Sequence, residues 1–397
     1  MRPVRFKDFQ SKTTLSADEV SAFALGNLLE DAPAGLPGLP SSLLLPFHEV
    51  RELSWDASSG TGRIVAVRRN RIDDWFYDCH FQGDPVMPGC WGVDAVWQAL
   101  KLFAAWRGLS GCGKTLGMEG VSFFGQIRPY DREIVYAVDV VSVEADGGET
   151  LLTGKAAVSV DGVQVYSIAS AQVATAYWTD EAPQAPTPGE SLPDSPARAL
   201  TPEEFSAKTR LSRAEVIGLT RGTLVRAPGV EVGLLPSGPM LEIGRVEKLS
   251  FDESAGEGEL RASRANGPHE WFYPMTPGVK PAVLSIDAVW QLCGLFLTWR
   301  GCQGIGRALG FERVEVFGEI GPADADIRYE AKIIRFTRVP GGDAFVRADT
   351  RVYADGRLVL ACSNANVGCH KNIRYSDFPL PSAMSTGGKL KVKEEAK

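Results

Sequence analysis

The feature that most constrains this chain is that its sequence is written twice. Phe9, Lys12, Thr13, Leu15, Ser16, Glu19, Val20 and Gly26 reappear as Phe205, Lys208, Thr209, Leu211, Ser212, Glu215, Val216 and Gly222, each 196 residues later. Gly60, Gly62 and Trp75 recur at the same offset as Gly256, Gly258 and Trp271. Further on the offset is 193: Asp94, Trp97, Trp106 and Gly125 recur as Asp287, Trp290, Trp299 and Gly318. So long a period is a duplicated domain, not a short-period solenoid. Whatever fold one half adopts, the other adopts too. The three-residue deletion between the offsets falls inside the most distinctive segment. The first half reads "FYDCHFQGDPVMPGCWGVDAVWQ" from Phe76 to Gln98, and the second reads "FYPMTPGVKPAVLSIDAVWQ" from Phe272 to Gln291. The first copy carries His80; the second has no histidine in this segment. His269 aligns with Asp73, not with His80.

Between the halves lies "EAPQAPTPGESLPDSPARAL", Glu181 to Leu200. Its five prolines, with Ser and Gly, read as an extended linker. The expected organisation is a first domain over 1–180, a linker over 181–200, a second domain over 201–380 and a flexible polar tail over 381–397. Ser16 of "SADE" and Ser212 of "SRAE" each stand three residues before a glutamate, the capping-box signature of a helix start. "GRIVAVRRN" and "GELRASRAN" alternate as strands do. Val93 to Trp106 shows helical periodicity on a wide apolar face, and Ile286 to Trp299 repeats it. Strand-like stretches follow each helix. One long buried helix with many antiparallel strands per copy predicts an α+β fold.

Composition excludes several classes. Of 397 residues, 44% are hydrophobic and 23% charged, as in a globular protein, and the net charge is −7. That acidity argues against nucleic acid as a partner, because phosphate binding needs clustered Lys and Arg. No unbroken apolar run reaches the roughly 18 residues of a membrane span, and "MRPVRFKDFQ" lacks a signal-peptide core. A cytoplasmic location is the default expectation. The seven cysteines show no C-x-x-C pair and no zinc-ligand spacing, so they read as reduced thiols, with no metal expected.

The chemistry concentrates in the first copy of the distinctive segment. His80 ends a strand-like run, before a Gly/Pro-rich loop. Gly89 lies just ahead of the apolar helix, where unpaired N–H groups and the positive dipole end suit a developing negative oxygen. Asp94 and Asp287 sit near the first turn of their helices. A carboxyl in an apolar helix can stay neutral at pH 7 and donate a proton, and a histidine is a suitable base. Base, acid and oxyanion donor are the parts for proton abstraction beside a carbonyl with loss of a β-hydroxyl. Each residue also has a structural reading: a core histidine, a helix-start aspartate, a turn glycine, and Trp97 and Trp290 as core anchors.

"WFYDCHFQGDPVMPGCWGVDAVWQ" closely resembles the signature of the 3-hydroxydecanoyl-acyl carrier protein dehydratase/isomerase family. The resemblance continues through "GKTLGMEGVSFFGQIRP" and "GRALGFERVEVFGEIGP", covering about 63–172 and, less strongly, 258–368. The tandem arrangement is similar to the dehydratase regions of polyunsaturated fatty acid and polyketide synthases. The resemblance implies a hotdog fold, an antiparallel sheet wrapped around a long central helix. It implies a double hotdog here: two such sheets and helices packed as an intrachain pseudo-dimer, with sites at the interface. By carry-over, His80 is the base, Gly89 the carbonyl-binding N–H donor, and a central-helix aspartate the acid. Because each family site takes its histidine and aspartate from different protomers, the resemblance pairs His80 with Asp287 and leaves Asp94 idle. Val86, Met87, Pro88, Cys90 and Trp91 are then expected to contact substrate. The implied reaction is dehydration of a 3-hydroxyacyl thioester to a trans-2-enoyl thioester, with trans-2/cis-3 isomerisation as a possible extension. The implied substrate rides on the phosphopantetheine arm of an acyl carrier protein, with no further cofactor, other synthase domains as partners, and possible further dimerisation. Lys332, Arg335 and Arg338 replace Asp139, Ser142 and Ala145 of the first copy, which suggests carrier docking or simply a solvated strand face. The alternatives are a hotdog acyl-thioesterase, an isomerase alone and a non-catalytic partner subunit.

Overall fold

The computed structural model describes residues 2–146, 148–176, 195–226, 229 and 231–371. Most of the proline-rich segment and the whole C-terminal tail lie outside the described residues. Leu200, the last residue of that segment, already packs: its N–H donates to Leu224 O at 2.7 Å, and its side chain joins the core.

Each half opens with two short helices, α1 (Phe6–Gln10) and α2 (Ala17–Ala24) in the first. The Ser16 capping box forms as its sequence predicts. Strands β1 (Glu49–Asp56) and β2 (Thr61–Arg69) follow, then the long helix α3 (Gly89–Arg107) and strands β3 (Cys112–Phe123), β4 (Glu133–Asp146), β5 (Glu149–Val160) and β6 (Val163–Ala176). The second half repeats the order with α4 (Pro202–Ser206), α5 (Arg213–Thr220), β7 (Arg245–Asp252), β8 (Glu257–Ala265), α6 (Ala282–Trp299), β9 (Ile305–Val316), β10 (Asp326–Arg338), β11 (Ala344–Ala354) and β12 (Arg357–His370). Ser212 forms the matching capping box of α5. Asp161–Gly162 and Asp355–Gly356 take positive φ at both turn residues, which closes the hairpins β5–β6 and β11–β12 with the right-handed twist of the strands.

Helices α3 and α6 are buried nearly all round. A helix apolar on every side needs a wrapping on every side, and α3 packs on β2, β4, β5 and β6 while α6 packs on β8, β10, β11 and β12. Each half is therefore a hotdog: six antiparallel strands around one helix. α6 is also, by length and mean hydropathy of 1.5, apolar enough to cross a membrane. Its place in the core is the simpler account, with 83% of it buried inside the protein.

The two halves join edge to edge. The strand order β1-β2-β4-β5-β6-β3-β9-β12-β11-β10-β8-β7 is one continuous 12-stranded sheet, and it reads the same from both ends once each strand is matched to its repeat. The β3–β9 register has the same symmetry. Gly117 pairs with Glu315 and Ser122 with Gly310, and each pair becomes the other when the 193-residue offset is applied. A Cβ on Gly117 would lie 2.5 Å from Val314 O, and one on Gly310 would lie 1.9 Å from Val121 O. The junction therefore requires glycine at both symmetry-related positions. Reciprocal bonds reinforce it: Ser41 N–H donates to Met275 O and Ser237 N–H to Cys79 O, both at 2.9 Å. Trp75 meets Trp271 edge-on at 5.1 Å, and α3 packs on α6. A pseudo-two-fold axis thus relates the halves, the isologous geometry of a homodimer within one chain.

Candidate active site

Two expectations about the local chain change. His80 does not end a strand; Trp75–Asp78 is a 3-10 turn and His80 follows it in a loop. Here aromatic Phe76 and Tyr77 fill the core from a turn, so their β propensity is overridden by burial. Gly89 is the first helical residue of α3, not the residue before it, with Pro88 as N-cap. Proline there fixes the approach of the chain without losing a helical bond.

His80 is buried, and its Nδ1 lies 2.9 Å from Val86 O. A carbonyl can only accept, so Nδ1 carries the proton and the Nε2 lone pair is left for chemistry. Burial, assisted by the Arg307 cation, lowers the imidazole to about 4 and keeps it neutral. Asp287, from the other half, is also buried. Burial raises its carboxyl to about 7 despite the bond from Gln291. Gln291 Nε2 donates to Asp287 Oδ2 at 2.6 Å and to Met240 O at 2.7 Å, while its Oε1 accepts from Glu242 N–H at 3.0 Å. These bonds fix the carboxyl's orientation. His80 and Asp287 line one cavity of about 320 Å³, together with Val86, Met87, Gly89, Phe123 and Trp290. Gly89 has a steric reason to be glycine, since a Cβ would approach the Phe123 ring at 3.2 Å.

Asp94 lies elsewhere. It lines a second cavity, of about 650 Å³, with Gln98, Lys101 and Thr276. Burial raises its carboxyl to about 6, and Gln98 holds it at 3.1 Å as Gln291 holds Asp287. No histidine is among the residues lining this cavity. Thr276, 196 residues after His80, stands in the histidine's place. Its Oγ1 donates to Val279 O at 2.7 Å, and Val279 is the repeat of Val86. The second copy has kept the anchoring bond and lost the imidazole.

Three of the expected substrate contacts move. Trp91 points into the second cavity with Asp94, because a helix turns it away from the Gly89 side. The Cys90 side chain is fully buried and does not line the His80 cavity. Pro88 caps the helix and does not line the cavity. Lys332 and Arg335 are exposed on β10, which contributes nothing to the His80 cavity. Lys332 has Glu257 3.8 Å away, and Arg338 donates to Arg300 O. All six cysteines whose side chains are described are free thiols. Trp97 is a core anchor, its Nε1 donating to Gly117 O at 2.9 Å, whereas Trp290 is both anchor and cavity wall.

Several site residues escape the sequence reading. Gln291 was legible in principle, since Asp and Gln stand four apart on a helix face in both copies. Asp84 and Arg307 were not. Asp84 takes Arg128 at 3.0 Å and, across the interface, Arg307 at 2.7 Å. Burial works against its charge, but the two guanidiniums hold the carboxyl far below the usual range. His370 also lines the His80 cavity, with Nδ1 3.1 Å from Asp343.

The charge states set a pH profile. A base at His80 would be competent when neutral, above about 4, and an acid at Asp287 when protonated, below about 7. The rate constant kcat/KM should form a bell between those limits, losing its alkaline arm in Asp287→Asn. Steady-state rates across pH check this; a rate still rising beyond neutrality would contradict it.

A family model described as the FabA-like domain matches residues 39–169 and 235–363 of this chain, more than half of its length and once in each half. Among solved structures, the dehydratase domain from the CurJ module of curacin polyketide synthase is 12% identical, with a TM-score of 0.44, covering 83% of this chain and 100% of its own. The dehydratase domain of a mycocerosic acid synthase-like polyketide synthase is 13% identical, with a TM-score of 0.45, covering 81% and 93%. The dehydratase domain from the terminal module of the rifamycin polyketide synthase is 11% identical, with a TM-score of 0.42, covering 83% and 98%.

Proposed function

This chain belongs to the FabA-like family, and from that premise we propose that it is a hydro-lyase that dehydrates 3-hydroxyacyl thioesters during fatty acid or polyketide synthesis. The observation that carries the reading is a neutral base and a neutral acid, supplied by opposite halves, lining one cavity at the start of an apolar helix. His80 Nε2 takes a proton from C2 of the substrate. The Gly89 N–H, unsatisfied within the helix, steadies the enolate-like oxygen. Asp287 gives its proton to the C3 hydroxyl, the C3–O bond breaks, and water leaves. The imidazolium then loses its proton and the carboxylate regains one, restoring both groups. The second cavity keeps acid and helix start but has Thr276 in place of the base, so each chain has one working site.

The thioester is proposed to arrive on the phosphopantetheine arm of an acyl carrier protein. Incubation with a 3-hydroxyacyl carrier protein should lower its mass by one water. Release of free acid would mark a thioesterase instead. An inert hydroxyacyl substrate beside a shifted double bond in an enoyl substrate would mark an isomerase.

A further inference from the structure

The two halves support their aspartates differently. Gln291 and Gln98 repeat one another, each four residues past its aspartate. Gln291 is held from both ends. Its Oε1 accepts from Glu242 N–H at 3.0 Å, and its Nε2 donates to Asp287 Oδ2 and to Met240 O. The repeat of Glu242 is Pro46, which has no N–H to offer. Among the described residues, Gln98 makes one side-chain hydrogen bond, that to Asp94 at 3.1 Å. It lacks the second tether.

The residue that supplies the tether is itself locked. Glu242 is fully buried. Its Oε2 accepts from Lys280 Nζ at 2.5 Å and from Tyr329 OH at 2.9 Å, and the Arg264 guanidinium lies 3.1 Å from its Oε1. Lys280, Arg264 and Tyr329 repeat Met87, Arg68 and Tyr136. The first half thus keeps the arginine and the tyrosine without the glutamate and the lysine. Arg68 there donates to a backbone carbonyl, Leu45 O, at 3.1 Å. A buried ion pair is costly to desolvate and seldom more stable than apolar residues of similar size. Proline and methionine in the first half show that the fold accepts such residues at both positions. A pair found only in the half that carries Asp287 calls for a role other than stability.

We propose that Glu242 is a positioning residue for the acid: its N–H fixes Gln291 against Asp287, and its carboxylate, locked by Lys280, Arg264 and Tyr329, sets a fixed negative charge near that carboxyl. The inference rests on Asp287 being the acid of the proposed dehydration. Burial is the main reason that the Asp287 carboxyl stands at about 7; the Gln291 bond lowers it, the Glu242 anion raises it, and the Lys280 cation lowers it by less. The other titratable groups around it are Cys90 and Cys79, thiols that burial pushes up, and His80, Arg307 and His370 on the cavity wall. None of these changes in the variants that test the proposal.

Glu242→Pro combined with Lys280→Met installs the first half's own residues, removes the tether and leaves no unpaired lysine. It should lower kcat for a 3-hydroxyacyl pantetheine thioester by roughly tenfold, about the worth of one hydrogen bond. KM should change little, because a misaligned acid fails in the transition state and not in binding. Glu242→Gln should move the alkaline limb of the kcat/KM profile to lower pH. Lys280→Met alone, in which Arg264 still neutralises Glu242, should move it to higher pH. Loosened packing would not give opposite shifts. Gln98→Leu should leave the rate unchanged. The infrared absorption of the protonated Asp287 carboxyl, identified by its loss in Asp287→Asn, is titrated in the same proteins without substrate and should shift in the same two directions. A parent protein that dehydrates nothing overturns the dehydratase reading, and the infrared titration then decides the role of Glu242. Shifts of one sign in both single variants, no shift in either, or an unchanged kcat in the double variant overturns the proposal.

Discussion

His80→Ala should lower the rate of water loss from a 3-hydroxyacyl thioester by roughly 10²- to 10⁴-fold, the range over which a positioned acid or base accelerates proton transfer. Asp287→Asn should fall into the same range, because an amide cannot protonate the departing hydroxyl. Asp94→Asn should leave the rate close to that of the parent. The three variants separate two pairings that look equivalent in a linear sequence. Asp94 lies only fourteen positions from His80, yet it lines the other cavity, while Asp287 shares the histidine's cavity from the opposite half. Single-turnover mass measurements on all three give the answer directly. An inactive Asp94→Asn beside an active Asp287→Asn would show that the acid comes from the histidine's own half. Thr276→His, in the second cavity, restores the residue type but not the loop of the first copy, and should add little.

The largest stability effect is expected at the ion triad beside the site. Asp84 is 2% exposed and bonded by two guanidiniums, Arg128 from its own half and Arg307 from the other. Arg307→Ala should destabilise the protein by about 3–5 kcal/mol, because it leaves a buried carboxylate partly uncompensated. Pairing it with Asp84→Asn should recover part of that loss, since the uncompensated charge is then gone. Urea or guanidinium unfolding of the single and double variants measures the coupling; strictly additive losses would mean that the two groups are independent. Arg307 also helps to depress the His80 imidazole. Its removal should therefore move the acidic limb of the rate profile upward from about 4, a shift that general loss of stability would not produce.

Much of this protein can be read without a structure because the chain was duplicated. The two offsets identify the repeat, the capping boxes at Ser16 and Ser212 place the early helices, and the apolar periodicity after Asp94 and Asp287 marks the buried central helices. All of these signals are local, set by backbone preference and by periodicity within a dozen residues. The local reading fails where burial competes with propensity: "WFYD" is strand-like in composition and forms a turn.

What the sequence by itself determined is the duplication, the helix at the heart of each half, and the absence of a histidine from the second copy of the distinctive segment. What only the tertiary structure decided is how the two halves divide the site. Asp84 and Arg307 are 223 residues apart and meet at 2.7 Å. Gln291 reaches Met240 O across 51 residues and holds the Asp287 carboxyl. Thr276 is seen as the histidine's replacement only because it keeps the same bond to the same loop. The Asp84–Arg307 contact leaves no local trace, because it joins the two halves, which meet where β3 pairs with β9 around the pseudo-two-fold axis. That packing sets Asp287 in the cavity of His80, and leaves the nearer aspartate, Asp94, in a cavity lined by no histidine.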